Sequence, residues 1–230
     1  MSPNFNLGFN TPSADTCDSC DTFVLRLKDS ADDVEKSPFK EKYTSHLQDA
    51  DMRYKLKKID KEKSRNSPAK TKVIMLDLGK CLPTPYLTNN QSYYCLKLWT
   101  LNLTIYDATT KKSYCMVWDE FVAERVGHEI ASALLKWAEM VLANSTVEHL
   151  IIWSDNCPTQ NRNVMMMMSY LWLIKTCPNS KTVEHKFLLK EHTHNEADHV
   201  HGGVIQRSLK RQSTMEICTP WDRQQRIRST

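Results

Sequence analysis

The sequence predicts an α/β protein: a mixed, five-stranded sheet with helices packed on it. Three observations lead there. Between Lys72 and about Glu120, short apolar and β-branched runs are separated by polar turns. From Gly127 onward, segments of helical spacing alternate with further apolar runs. The chain of 230 residues, 40% hydrophobic, suits one medium domain with a smaller flank.

The elements follow in order. Residues 1–70 form an N-terminal appendage. A Pro/Asn/Ser-rich lead carries Cys17 and Cys20, and a charged stretch from Val34 to Lys63 has Tyr43, Leu47, Ala50, Tyr54 and Leu56 as a weak helical stripe. "SRNSPAK" reads as a linker. Residues 71–212 form the main domain. "KVIMLDL" is a first strand, "LPTPYLTNNQ" a loop, and "SYYCLKLWTLNLTIYDA" and "SYCMVWDE" a hairpin about "TTKK". "GHEIASALLKWAEMVLAN" has helix spacing, "VEHLIIWSD" is a fourth strand, and "QNRNVMMMMSYLWLIKTC" is a helix apolar nearly all round, which predicts burial. Its Met run fits core packing. "TVEHKFLLKE" is a fifth strand and "NEADHVHGGVIQRSLKRQ" a third helix. Residues 213–230 are a basic tail. The predicted order is β-β-β-α-β-α-β-α.

Composition excludes several classes. Five glycines and no GxGxxG or GxxxxGK[ST] string argue against a nucleotide cofactor. No apolar run is long enough to span a membrane, and the N-terminus does not read as a secretory signal, so the expected setting is a reducing cell interior. There the eight cysteines serve as thiols or metal ligands. Cys81, Cys95, Cys115, Cys157, Cys177 and Cys218 lie mostly in apolar elements, which predicts buried thiols.

Two aspartates stand out. Asp155 ends a strand, where an Asp commonly caps the following helix. Asp77 lies inside "VIMLDLG", where an unpaired buried carboxylate is costly. A pair of carboxylates on neighbouring strand ends suits the hard-cation chemistry of phosphodiester cleavage, with two Mg²⁺ or Mn²⁺ ions ~3.5–4 Å apart. After Asp155, the residues Asn156, Gln160, Asn161 and Asn163 either orient a phosphate or metal-bound water or cap the next helix.

The element order resembles that of ribonuclease H-like nucleases and DDE-type transposases. The strings "DTCDSCD", "LDLGKCLPTP", "WDEFVAERVGHEI", "WSDNCPTQNRN" and "HTHNEADHVH" resemble those of transposon-derived proteins of animal genomes. The resemblance implies catalytic, metal-binding acids at Asp77 in strand one, Asp155 at the end of strand four and Asp198 on the helix after strand five. Glu129 is the implied fourth ligand. It also implies metal-dependent DNA cleavage and strand transfer, or a domesticated binding domain that keeps the fold. DNA is the expected partner, a homodimer is compatible, and a nuclear location follows. That group carries a Glu further along the last helix, where this chain has Gln206.

Cys17-x2-Cys20 and His46 supply three of the four ligands a structural Zn²⁺ needs. Asp21, Asp49 or a residue outside this chain is a candidate fourth. "HTHNEADHVH" resembles the zinc-binding HxHxDH string of metallo-β-lactamases, but its spacing is two residues too long and no His follows His201. His194 and His201 remain as candidates to assist near the metal, to contact phosphate, or to serve on the surface.

Overall fold

The computed structural model describes residues 17–29, 33–84, 98–189, 192 and 196–201. The chain starts with two helices, α1 (Asp18–Asp29) and α2 (Asp33–Asn66). Strands β1 (Thr71–Leu78), β2 (Leu82–Thr84), β3 (Leu98–Asp107) and β4 (Lys112–Asp119) follow. Then come α3 (Gly127–Val141), β5 (His149–Ser154), α4 (Val164–Thr176), β6 (Thr182–Phe187) and the short α5 (Glu196–Val200).

The sheet is mixed and has six strands, not the five expected from sequence. The sixth is β2, which falls in the segment read as a loop. Its origin lies in the register. Leu103 faces Leu78 on one edge of β3 and Met116 on the other, while Thr100 faces Leu82 and Asp119. β1 and β2 therefore share one edge of β3. From Leu78 to Leu82, four residues advance against three on β3, so one extra residue is absorbed between them, as at a β-bulge. β1 pairs antiparallel with β3 and parallel with β5, and β5 pairs parallel with β6. The five long strands thus lie side by side as β4-β3-β1-β5-β6.

Side chains of a strand alternate between faces, and here each face has its own core. Ile74, Leu76, Leu78, Leu103, Ile105, Leu150 and Ile152 meet Ile130, Leu134, Trp137 and Ala138 of α3 and Met166 and Leu173 of α4. The smaller core on the other face holds Val73, Met75, Ile151, Trp153 and Leu188. Here α2 docks, and it does so largely through polar groups. Buried Asp60 accepts hydrogen bonds from Trp153 Nε1 (3.0 Å) and Lys186 Nζ (2.8 Å). Arg53 donates to the Phe187 carbonyl (2.6 Å), and Lys57 and Lys61 pair with Glu196. Of the expected apolar stripe, Ala50 is buried, whereas Leu47 and Leu56 are exposed. The helix also runs on through Ser64, Arg65 and Asn66, the start of the expected linker.

Two further expectations are corrected. Within the Met run only Met166 is buried. Met165, Met167 and Met168 are about half exposed, as are Leu171 and Trp172. α3 and β6 cover one side of α4, and among the described residues nothing covers the other. Of the cysteines expected to be buried, Cys177 is; Cys81, Cys115 and Cys157 are half-buried, and Cys95 and Cys218 lie outside the described residues. A buried ion pair closes the β3–β4 hairpin. Asp107 accepts from Lys72 Nζ (2.6 Å) and from the amides of Thr109 and Thr110. Burial alone would raise the Asp107 carboxyl, but the Lys72 ammonium and these amides hold it below its ordinary value.

Candidate functional site

Asp77 lies near the end of β1, and Asp155 directly follows the last residue of the adjacent parallel strand β5. The β1–β5 register runs from Thr71↔His149 to Met75↔Trp153, and two more steps along each chain reach Asp77 and Asp155. Both share parity with the smaller core, Asp77 with Val73 and Met75, Asp155 with Ile151 and Trp153. Neighbouring strands lie ~4.8 Å apart, so the sequence places both acids at one corner of one face.

Each acid is already engaged. His201 Nε2 lies 2.9 Å from Asp77 Oδ2, close enough for an ion pair, although the N–H is not aligned for a hydrogen bond. On its other side, His201 Nδ1 is 2.8 Å from the amide nitrogen of buried Asn102 and 3.5 Å from Thr104 Oγ1. Gly79 makes room for this ring, since a Cβ there would come within 2.5 Å of Nδ1. Asp155 Oδ1 accepts from the side-chain amide of buried Asn161 and from the Cys157 amide (3.3 Å). The guanidinium of exposed Arg125 reaches the carbonyls of Leu78 and Gly79 (3.5 and 3.4 Å), which places a cation at the same strand end.

A second network stands behind Asp155. The Ser154 hydroxyl donates to the Asp155 carbonyl (2.7 Å), so its oxygen is free to accept from His185 Nε2 (2.8 Å). His185 Nδ1 then accepts from Tyr170 Oη (2.5 Å). Of the two neutral tautomers, only the Nε2–H form satisfies all three contacts. Burial pushes the His185 ring down to about 4 and raises the Tyr170 phenol, which keeps both neutral.

The remaining acidic candidates lie on helices. Asp198 is exposed on α5. Glu129 belongs to α3, on the opposite face, where its Oε1 contacts His128 Nε2 (2.7 Å) and the Glu124 amide (3.3 Å). Asp77, Asp155, Asp198 and Glu129 are not among the groups of three or more described side chains whose ligand atoms all lie within 4.8 Å of one another. Of the polar residues after Asp155, Asn163 caps α4 by accepting from the Met166 amide (3.0 Å), and it also donates to the carbonyls of Pro158 and Thr159. Gln160 closes the turn after Cys157. The side-chain oxygens of Asn156 and Asn161 are buried and unmatched among the described residues. His194 and Gln206 lie outside the described residues.

A metal-competent group exists elsewhere. Cys17, Cys20, His46 and His192 place their ligand atoms within 4.8 Å of one another, and this cluster could hold a metal ion. Cys17 immediately precedes α1, Cys20 lies in its first turn and His46 lies midway along α2. His192 follows β6, where Tyr54 Oη donates to its carbonyl (2.9 Å). His192 therefore takes the place for which Asp21 and Asp49 were candidates. Its signal was present in "HTH", but only the fold brings His192 to the N-terminal helices.

Among the described residues, no helix is long and apolar enough to cross a membrane. No curated protein matches the chain. Residues 120–220 match the model of a family described as a domain of unknown function, DUF7869, a stretch that holds Glu129, Asp155, His192 and Asp198 but not Asp77, Cys17, Cys20 or His46.

Proposed function

We propose that this chain is a ribonuclease H-like domain of transposase descent, and that its chemistry is metal-dependent cleavage and transfer of DNA strands. The observation that supports the reading is the parallel β1–β5 pairing, whose register ends at Met75↔Trp153, two residues before Asp77 and two before Asp155. The antiparallel β1-β3-β4 meander, followed by the parallel β5 and β6, supports it. Asp77 and Asp155 are the residues to hold Mg²⁺ or Mn²⁺, with Asp198 on the nearby α5 as the third acid. Ions held there would supply Lewis-acid stabilisation to the attacking and leaving oxygens. Asn161 and the Cys157 amide fix the orientation of Asp155, and Arg125 offers a guanidinium to a phosphate. The Cys/His cluster is assigned separately, to a structural Zn²⁺. DNA as partner and a nuclear location go with this reading.

The test is a plasmid-nicking assay with Mg²⁺ or Mn²⁺ on wild type, Asp77→Ala and Asp155→Ala. Cleavage by wild type and its loss in both variants is the expected result. Equal cleavage by all three, or none by wild type, overturns the catalytic reading.

A second reading is a non-enzymatic domain that binds nucleic acid or protein. His201 resting against Asp77 favours it. Salt-sensitive DNA binding without metal-dependent nicking would select it.

A further inference from the structure

The Cys/His cluster joins parts of the chain that lie far apart in sequence. One edge of the group runs 3.4 Å from Cys17 Sγ to His46 Nε2, a second runs 3.5 Å from Cys20 Sγ to His192 Nε2, and a third runs 3.1 Å between the two Nε2 atoms. A regular tetrahedron about zinc, with Zn–S of ~2.3 Å and Zn–N of ~2.05 Å, has S–N edges of ~3.6 Å and N–N edges of ~3.35 Å. The three spacings match those edges to within a few tenths of an ångström.

Hydrogen bonding alone explains the group poorly. His46 Nε2 faces both a thiol and another ring nitrogen. A neutral ring offers one proton or one lone pair at that atom, and a thiol is a weak donor. Four soft or borderline donor atoms within 4.8 Å of one another are the ligand set of a structural zinc, and a hard cation would want oxygens. A disulfide is not the alternative, since Cys17 and Cys20 are both free thiols.

The position of His192 gives the ion a further role. His192 lies between β6 and α5, four residues before Glu196. His201 directly follows α5, and its ring rests against Asp77. Three described residues after β6 are thus tied. His192 is tied to α1 and α2, Glu196 to Lys57 and Lys61 of α2, and His201 to the β1 end. Of these three, the first reaches Cys17 and Cys20.

We propose that Cys17, Cys20, His46 and His192 bind one Zn²⁺, and that this ion clamps the β6–α5 connection onto α1 and α2, so that zinc occupancy sets the position of α5 at the acidic strand end. The proposal rests on the zinc assignment made above, but not on catalysis.

The experiment uses the full chain, purified with its metal. Metal analysis should find one zinc per chain, and Co²⁺ exchanged into the site should give the visible bands of tetrahedral thiolate coordination. His192→Ala should lose those bands. Hydrogen exchange is then followed with and without a chelator. Removing zinc should speed exchange about tenfold or more in peptides covering 18–29 and 196–201, while α3 and β5 stay protected. Absence of zinc and of cobalt bands in wild type overturns the site. Zinc present with unchanged exchange in 196–201 overturns the clamp alone. Loss of protection throughout, α3 included, also overturns the clamp, because the ion would then serve the whole fold. None of these readouts requires DNA cleavage, so a failed nicking assay leaves the outcome independent.

Discussion

Trp153 Nε1 donates to Asp60 Oδ2 at 3.0 Å, and this contact joins the interior strand β5 to the long helix α2. Lys186 Nζ uses the same oxygen at 2.8 Å. Asp60 is 3% exposed, so its removal strands the buried Trp153 Nε1–H and takes one of two acidic partners from the half-buried Lys186, which keeps Glu184. Asp60→Ala should destabilise the protein by about 2–4 kcal/mol. Urea unfolding followed by circular dichroism checks this, and a loss below ~0.5 kcal/mol would show that α2 is held by other contacts.

The two sides of α4 should respond oppositely to truncation. Leu173 is fully buried against α3 and the sheet, and Leu173→Ala should cost about 2–4 kcal/mol. Its neighbour Trp172 is 55% exposed, and Trp172→Ala should cost less than ~1 kcal/mol. Comparable losses in the two variants would mean that the outward face of α4 is covered in solution.

Stability should fall with acid in a defined window. His185 is held neutral, with its ring lowered by burial to about 4 against an ordinary 6.5. The unfolded chain takes up this proton below ~6.5 and the folded chain does not until about 4. The contribution is therefore complete above pH 6.5 and is lost as pH falls from 6.5 towards 4, by roughly 2–3 kcal/mol. Asp107 acts in a lower window. Its lowered carboxyl stabilises the fold above its ordinary 3.8, and that contribution disappears as pH falls below 3.8. Denaturant midpoints between pH 7.5 and 4 should slope for wild type and flatten for His185→Gln.

Gly79 has no left-handed backbone, so its role is space alone. Gly79→Ala should push the His201 ring off Asp77 and Asn102 at a cost of about 1–3 kcal/mol. In His201→Ala the same change should cost almost nothing, and a double-mutant cycle measures the difference. Additive costs would mean that Gly79 meets something other than His201.

The main sheet was readable because its strands carry their own signal. The apolar runs of β1 and β5 and the hairpin of β3 and β4 are local features, as is the 3.6-residue spacing of α3. What was missed depends on partners. β2 exists because Trp99 and Thr100 of β3 offer it an edge. α2 docks through Asp60, Arg53, Lys57 and Lys61, residues that read as a solvated charged face. The half-exposed Met165, Met167 and Met168 show that composition cannot tell which sides of an apolar helix find neighbours. At the site, Asp77 and Asp155 were marked by their strands, and Cys17, Cys20 and His46 by residue type and spacing. His192 and the Tyr170–His185–Ser154 relay were not, because only tertiary folding brings those residues together.

The long docked helix also sets an order of events during synthesis. α2 leaves the ribosome well before Trp153, Lys186, Phe187 and Glu196, the residues that receive it. Its own sequence buries little, so until β5 and β6 have emerged it has no surface on which to settle. Ribosome-bound chains halted before Trp153 should therefore carry α2 as a protease-sensitive segment, and the docked state should arise only after the last strand is released.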